Sequence, residues 1–193
     1  MIDFFKKMFT KSEQTVNIMQ KKFDEKATRE LLFEENIDKV DFFDITKKEI
    51  ILKHLKNEIN LNKTNNFISK EELEKLGIDK KQKITKELLE VFNLQKIKGK
   101  DPKKLMNIIY RNAQNRACMM RDIEQIKSLI GPYVEVKVYL LSGKDERTCE
   151  WCLSMDNKEI DILKVDIIKL IDDNCTCEYN RSTLISKLNL EKL

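Results

Sequence analysis

The stretch between the two prolines of this sequence constrains its fold more than any other feature. Apolar residues recur along the stretch at steps of three and four, which is the spacing of one face of an α-helix. These residues are Leu105, Ile108, Ile109, Ala113, Ala117, Met120, Ile123, Ile126 and Ile130. Asp101 and Pro102 stand at the N-cap and first helical positions that these residue types favour, and Gly131 ends the pattern. The sequence therefore predicts one helix of about 28 residues, roughly 40 Å long at about 1.5 Å per residue.

The first hundred residues predict several shorter amphipathic helices. Residues 2–9 and 12–36 carry apolar side chains at helical spacing, and a further helix is predicted over residues 81–92. Thr46 and Glu49 have the spacing of a capping box, which marks the start of a helix. The composition agrees with a mostly helical chain, because 193 residues include only 4 Gly and 2 Pro.

Residues 69–92 have the order of a helix-turn-helix unit. Ser69 and Glu72 form a second capping box, and Gly77 stands where a helix C-cap glycine belongs. In this hypothesis the lysines around the second helix contact DNA; they are Lys80, Lys81, Lys83 and Lys86. Residues 79–104 hold nine lysines and four acids in a chain of net charge +4. Such a basic block is a solvated face, or it binds nucleic acid or an acidic protein surface.

The periodicity changes from helical to alternating after the long helix. Val134–Leu140 predicts a half-buried strand, Asp156–Asn157 a hairpin turn, and Ile160–Ile171 a short helix. One more short element is predicted beyond Cys175. The predicted fold class is therefore α+β, mostly α, with a helical N-terminal region, one long helix and a small β-hairpin/helix module. The predicted domains are residues 1–100 and residues 101–193.

Four of the five cysteines fall into a CxxC pair and a CxC pair. They are Cys149, Cys152, Cys175 and Cys177. Four thiolates complete the tetrahedral sulfur set of structural zinc, with Zn–S bonds of about 2.3 Å, and they leave no position for a catalytic water. Zinc would supply much of the stability of so small a module. Two alternatives stay open: a thiol–disulfide switch, which the hairpin predicted after the CxxC disfavours, and four thiols without a special role.

Other features of the sequence restrict the cellular compartment and the reaction mechanisms that we expect. The chain has no apolar run of about 18 residues and its first residues lack a signal-peptide pattern, so we expect a cytoplasmic protein. In that compartment clustered cysteines more often bind metal than form disulfides. His54 is the sole histidine, which excludes mechanisms built on several histidines. Acidic residues near the cysteines leave a divalent-metal nuclease as the remaining enzyme hypothesis, although none has a recognised nuclease spacing.

One segment of the sequence resembles a known family. Asp145, Arg147, Thr148 and the CxxC pair form a D-x-R-T-C-x-x-C segment that follows a long helix and a strand and precedes the CxC pair. This order is similar to the C-terminal domain of the phage head-morphogenesis (minor head) proteins, the Mu F-like group. The resemblance covers about residues 105–180.

The resemblance implies a non-enzymatic protein of a phage or mobile element, in the host cytoplasm or the virion. Such a protein would bind capsid or portal proteins, or another phage or host protein, and also DNA. We expect Arg147 and Trp151 to contact a partner. The family's histidine before the CxC pair falls on Asp172, so Asp172 or the four cysteines alone would complete a metal site. The alternatives are a small DNA-binding regulator with a zinc-braced domain and a redox-responsive thiol protein.

Overall fold

The structure of the protein, a computed structural model, describes residues 23–130 and 135–189. The helices of its first part are α1 (Glu25–Asp38), α2 (Lys48–Leu55), α3 (Lys70–Lys75), α4 (Lys86–Leu89) and α5 (Pro102–Leu129). The later elements are β1 (Glu135–Leu141), α6 (Glu150–Met155), β2 (Lys158–Ile160), α7 (Ile167–Asn174) and β3 (Thr183–Asn189). This is the predicted α+β, mostly α architecture. The helix predicted over residues 2–9, the first part of that over 12–36, and Val134 lie outside the described residues.

The long helix α5 has the predicted bounds. A carboxylate oxygen of Asp101 accepts hydrogen bonds from the backbone N–H groups of Lys103 and Lys104, at 2.8 and 3.3 Å. Pro102 occupies the first turn, and the helix continues without a break for 28 residues. Among the residues that the structure describes, no helix is long and apolar enough to cross a membrane.

The first part of α5 belongs to a hydrophobic core that it shares with the preceding helices. Its buried members there are Met106, Ile109, Ala113 and Ala117. Helix α1 runs antiparallel beside α5, because Glu25 at the start of α1 pairs with Arg121 at 2.7 Å. Nearer the other end, the rings of Phe33 and Tyr110 stack with centroids 5.7 Å apart. The α1–α5 pair therefore frames this first core.

The later part of α5 belongs to a second core beneath a small sheet. The sheet has the strand order β2-β1-β3, and both neighbouring pairs are antiparallel. Val138 and Leu140 of the central strand are buried against this core together with Met119 and Ile126 of α5. The strand predicted over Val134–Leu140 is thus confirmed in its described part, and the element predicted beyond the CxC pair is strand β3.

Two helix starts differ from the predictions. Helix α1 begins only at Glu25, because Asp24 has extended backbone and its carboxylate caps the N–H of Ala27 at 2.9 Å. The predicted capping box of Thr46 is wrong as well: the Thr46 N–H and hydroxyl both donate to Asp44, at 3.0 and 2.7 Å. A short 3₁₀ turn follows Asp44, and α2 starts after it.

The helix-turn-helix prediction for residues 69–92 fails in its second half. The Ser69 capping box and the Gly77 turn are confirmed, with Gly77 at φ +68°. The helix predicted over residues 81–92 is only the four residues of α4. The chain before α4 is extended instead, because the carbonyl of Ile84 accepts the N–H of Ile68 at 2.9 Å. No recognition helix forms there.

The helix predicted over Ile160–Ile171 starts seven residues later than expected. Ile160 belongs to strand β2, where it pairs with Val138 of β1. A turn follows in which the carbonyl of Asp161 accepts the N–H of Val165 at 2.9 Å. Helix α7 then begins at Ile167, and the carboxylate of Asp166 caps it at the N–H of Lys169, 3.0 Å away.

Candidate metal centre

The four cysteines of the CxxC and CxC pairs lie together in the structure, with all four sulfur atoms within 4.8 Å of one another. Cys149 is the N-cap of α6 and Cys152 lies within that helix. Cys175 is the C-cap of α7, and Cys177 follows two residues later. The start of one short helix and the end of another thus form one site from two sequence-distant pairs, as the zinc hypothesis requires.

Two of the sulfur–sulfur distances are close to those of a tetrahedral ion site. The sulfur of Cys152 lies 3.5 Å from that of Cys175 and 3.9 Å from that of Cys177. Four sulfurs bound to zinc at about 2.3 Å in a tetrahedron lie about 3.8 Å from one another. A disulfide requires about 2.05 Å, and all of these cysteines are free thiols. The donor set and its spacing therefore fit one soft cation of zinc size.

The local structure of the CxxC pair differs from the prediction. The sequence predicts a hairpin after the pair, whereas the pair opens helix α6, which lies between strands β1 and β2. The hairpin is therefore wrong: Asp156–Asn157 joins α6 to β2, with Asn157 at φ +60° and its N–H donating to the carbonyl of Leu140 at 2.8 Å. A CxxC that opens a helix is typical of redox-active pairs. The position of the pair at the start of α6 is therefore also compatible with a thiol switch.

Backbone and amide N–H groups surround the sulfur atoms. The N–H of Cys149 donates to the sulfur of Cys177 at 3.3 Å. The side-chain amide of Asn180 lies 3.5 Å from the sulfur of Cys152 and 3.4 Å from that of Cys175. Donors of this kind stabilise negative charge on sulfur and orient the ligands of a metal. These N–H groups would therefore stabilise thiolates that ligate a bound cation.

The thiols differ in how readily they lose a proton. Burial raises the pKa of Cys149, but hydrogen bonds from the N–H groups of Cys152 and Thr176 and from neighbouring thiols outweigh it and bring the pKa to about 6. Burial, together with the adjacent thiols of Cys175 and Cys149, raises the pKa of Cys152. Burial also raises the pKa of Cys177. Four thiolates at this spacing repel one another, so a bound cation is needed to ionise them all.

A charged clamp holds the loop that precedes the CxxC pair. Asp145 accepts hydrogen bonds from both terminal nitrogens of Arg181, each at 2.6 Å, and from Arg147 at 2.9 Å. Arg181 also donates to the hydroxyl of Thr148 at 2.9 Å. Gly143 lies beside the clamp, where a Cβ would be 3.4 Å from the guanidinium carbon of Arg181. The D-x-R-T residues of the sequence thus brace the site.

The other residues predicted for the site have varied surroundings. Trp151 is half-buried and packs against the second core. The Arg147 side chain is exposed beyond its contact with Asp145. Asp172 lies outside the sulfur cluster and pairs with Arg116 of α5, which donates to it at 2.9 Å. The four cysteines therefore form the donor set without it.

The lysines predicted to contact DNA do not share a helix face. All four are exposed, but only Lys86 lies in a helix, as the first residue of α4. Lys80 pairs with Glu74 at 2.8 Å, and Lys81 and Lys83 lie in the segment before α4. The structure therefore does not assemble them as a groove-reading set.

Asn180 and Arg181 are the site residues that the sequence analysis missed. They follow the CxC pair closely and precede β3, and the carbonyl of Asn180 also accepts the amide of Asn115 on α5 at 2.7 Å. An Asn-Arg dipeptide carries no motif, so only the fold reveals their roles.

Comparisons of this chain with protein-family models, curated proteins and solved structures found no match.

Proposed function

We propose that Cys149, Cys152, Cys175 and Cys177 bind one structural zinc ion, which joins α6, the end of α7 and the segment before β3 into a stable module. The observation that supports this proposal is the clustering of the four sulfur atoms within 4.8 Å. With four protein ligands the ion has no open position for a water, so the site supplies stability and no catalysis. We therefore propose that the protein is not an enzyme.

Metal content per chain tests the zinc site. Protein purified under reducing conditions without added zinc should contain about one zinc by elemental analysis. Cys175→Ser should abolish the bound zinc and unfold the module, whereas Cys118→Ser should retain it. Cys118 is the matched control because it lies on α5, where the amide of Gln114 contacts its sulfur at 3.1 Å. Metal-free wild-type protein with a folded module would overturn the proposal.

We further propose that this module binds other proteins in phage head assembly, as part of the head-morphogenesis group that the D-x-R-T-C-x-x-C segment resembles. The contacts of Asp145 with Arg147 and Arg181 support this proposal, because they fix the D-x-R-T-C-x-x-C segment in one conformation beside the cysteines. Co-purification with the portal and major capsid proteins of the source phage or prophage tests the proposal. Binding should be lost in Cys175→Ser and kept in Cys118→Ser, and absence of binding by the wild type contradicts it.

A redox-responsive thiol protein is the second candidate. It is favoured by the position of Cys149 as the N-cap of α6 and by its pKa of about 6. In that case mild oxidant would join the thiols in disulfides and the purified protein would hold no metal. Thiol titration beside the zinc measurement separates the two functions.

A further inference from the structure

Two glycine turns meet backbone to backbone on the first core. Gly77 and Gly99 have φ of +68° and +75°, in the region that favours glycine. The N–H of Gly99 donates to the carbonyl of Leu76 at 2.8 Å. A Cβ on Gly77 would lie 3.4 Å from the Gly99 backbone, so the two turns approach closely. The backbones of the two turns are therefore in direct contact.

Lysines flank this contact on both sides. Lys75 precedes the first turn and Lys81 follows it, and Lys98 and Lys100 bracket Gly99. All four side chains are exposed, and none of them makes an ion pair within the part of the chain that the structure describes. We call Lys75, Lys81, Lys98 and Lys100 the two-turn patch.

Carboxylates lie near the two-turn patch without forming ion pairs with it. Lys75 acts electrostatically on Glu72, and Lys100 acts on Asp41. Glu74 pairs instead with Lys80, which is not a member of the patch, at 2.8 Å. The patch thus gathers four unpaired ammonium groups from two segments about twenty residues apart.

We propose that the two-turn patch binds the phosphate backbone of nucleic acid. Exposed ammonium groups that form no ion pair can neutralise phosphates and release the counterions condensed on them. The contact is independent of base sequence, because α4 is a single turn and no helix of the first core projects from the patch into a groove. The proposal stands apart from the metal centre, since the two turns belong to the first core.

The test is the salt dependence of binding to a short fluorescein-labelled DNA duplex, followed by anisotropy with the full chain. One variant carries Lys75→Gln, Lys98→Gln and Lys100→Gln. The matched variant carries Lys127→Gln, Lys158→Gln and Lys169→Gln, which are equally exposed lysines without ion pairs among the described residues. Both variants lose three positive charges, so comparing them distinguishes the effect of the patch on binding from the effect of net charge.

The patch variant should bind at least about tenfold more weakly at about 50 mM salt, and its log–log salt slope should be less steep by about 2 to 3. The matched variant should retain most of the wild-type slope. Equal losses in both variants would mean that net charge alone is measured, and would overturn the proposal. So would a wild-type chain that does not bind the duplex at this salt concentration. Circular dichroism melting checks that both variants fold.

Discussion

Arg181 holds Asp145 with two parallel hydrogen bonds of 2.6 Å across 36 residues of sequence. This pair fixes the loop before the CxxC cysteines to the chain that follows the CxC cysteines. The two halves of the sulfur cluster are thus joined by protein contacts as well as by any ion. A bidentate guanidinium–carboxylate pair has strict geometry, which a lysine cannot reproduce.

Arg181→Lys should therefore weaken metal binding. Loss of the bidentate contact leaves the two cysteine pairs less well aligned, and partners behind the ligands of metal sites typically change affinity about tenfold to a hundredfold. Competition for zinc against a chromophoric chelator measures the change. Arg147→Lys is the control with a smaller expected loss, because Arg147 is the more exposed of the two arginines and has one side-chain contact with Asp145. Unchanged zinc affinity in Arg181→Lys would contradict the role of the clamp.

Thr85→Val should destabilise the first core. Thr85 is fully buried, its hydroxyl donates to the carbonyl of Leu61 at 2.5 Å, and it accepts the N–H of Leu88 at 3.3 Å as the cap of α4. Valine keeps the shape and removes both hydrogen bonds, so the free energy of unfolding should fall by about 1–3 kcal/mol. Urea denaturation measures the loss. Thr85→Ser keeps the hydroxyl, and a larger loss in it than in Thr85→Val would refute this account.

Gly77→Ala and Gly99→Ala should each destabilise the first core by a similar amount. Both glycines have positive φ, so alanine is strained at either position by about 1–2 kcal/mol. At Gly77 the new Cβ would lie at ordinary contact distance, 3.4 Å, from the backbone of Gly99, and at Gly99 nothing lies within 4 Å, so backbone strain alone acts at both positions. Urea denaturation of the two variants measures the two unfolding free energies. A variant as stable as the wild type at either position would contradict this account.

His54 should titrate below its ordinary pKa of about 6.5. Burial lowers the pKa of His54 more than the nearby carbonyl of Ile59 raises it, and its Nδ1 accepts the N–H of Leu61 at 3.3 Å. The unfolded chain therefore binds a proton at a higher pH than the folded one, and stability falls as the pH drops from the unfolded pKa through the folded pKa.

Nuclear magnetic resonance of the ring protons gives this pKa directly, because His54 is the sole histidine. Unfolding by urea at about pH 5.5 and about pH 7.5 should show a loss at the lower pH that His54→Asn reduces. Asparagine offers an acceptor to the Leu61 N–H without titrating in this range. A measured pKa at or above the ordinary value would rule out this contribution.

The features that the sequence predicted well are those with strong local signals. The periodicity and both ends of α5 were readable because Asp101, Pro102 and the three- and four-residue steps all agree. The cysteine cluster was readable because a CxxC pair and a CxC pair each place two thiols close together. In both cases several residues in one short window specify the same local structure.

The features that could not be predicted depend on partners far away in sequence. Residues 81–92 look helical, yet Ile84 pairs with Ile68 as extended chain. Ile160 looks like the start of a helix, yet it pairs with Val138 in the sheet. No sequence motif marks Arg181 as a site residue. Its role depends on Asp145, which lies 36 residues earlier in the sequence. Tertiary pairing overrides local propensity in each case.

The continuity of α5 has a consequence for how the chain folds. Ala117 lies in the first core and Met119 in the second, with one residue of the same unbroken helix between them. Unwinding that turn would expose apolar surface of both cores at once, so neither can open far alone. The two halves should therefore fold as one cooperative unit, and an ion that orders the cysteine module would also stabilise helices that never touch it.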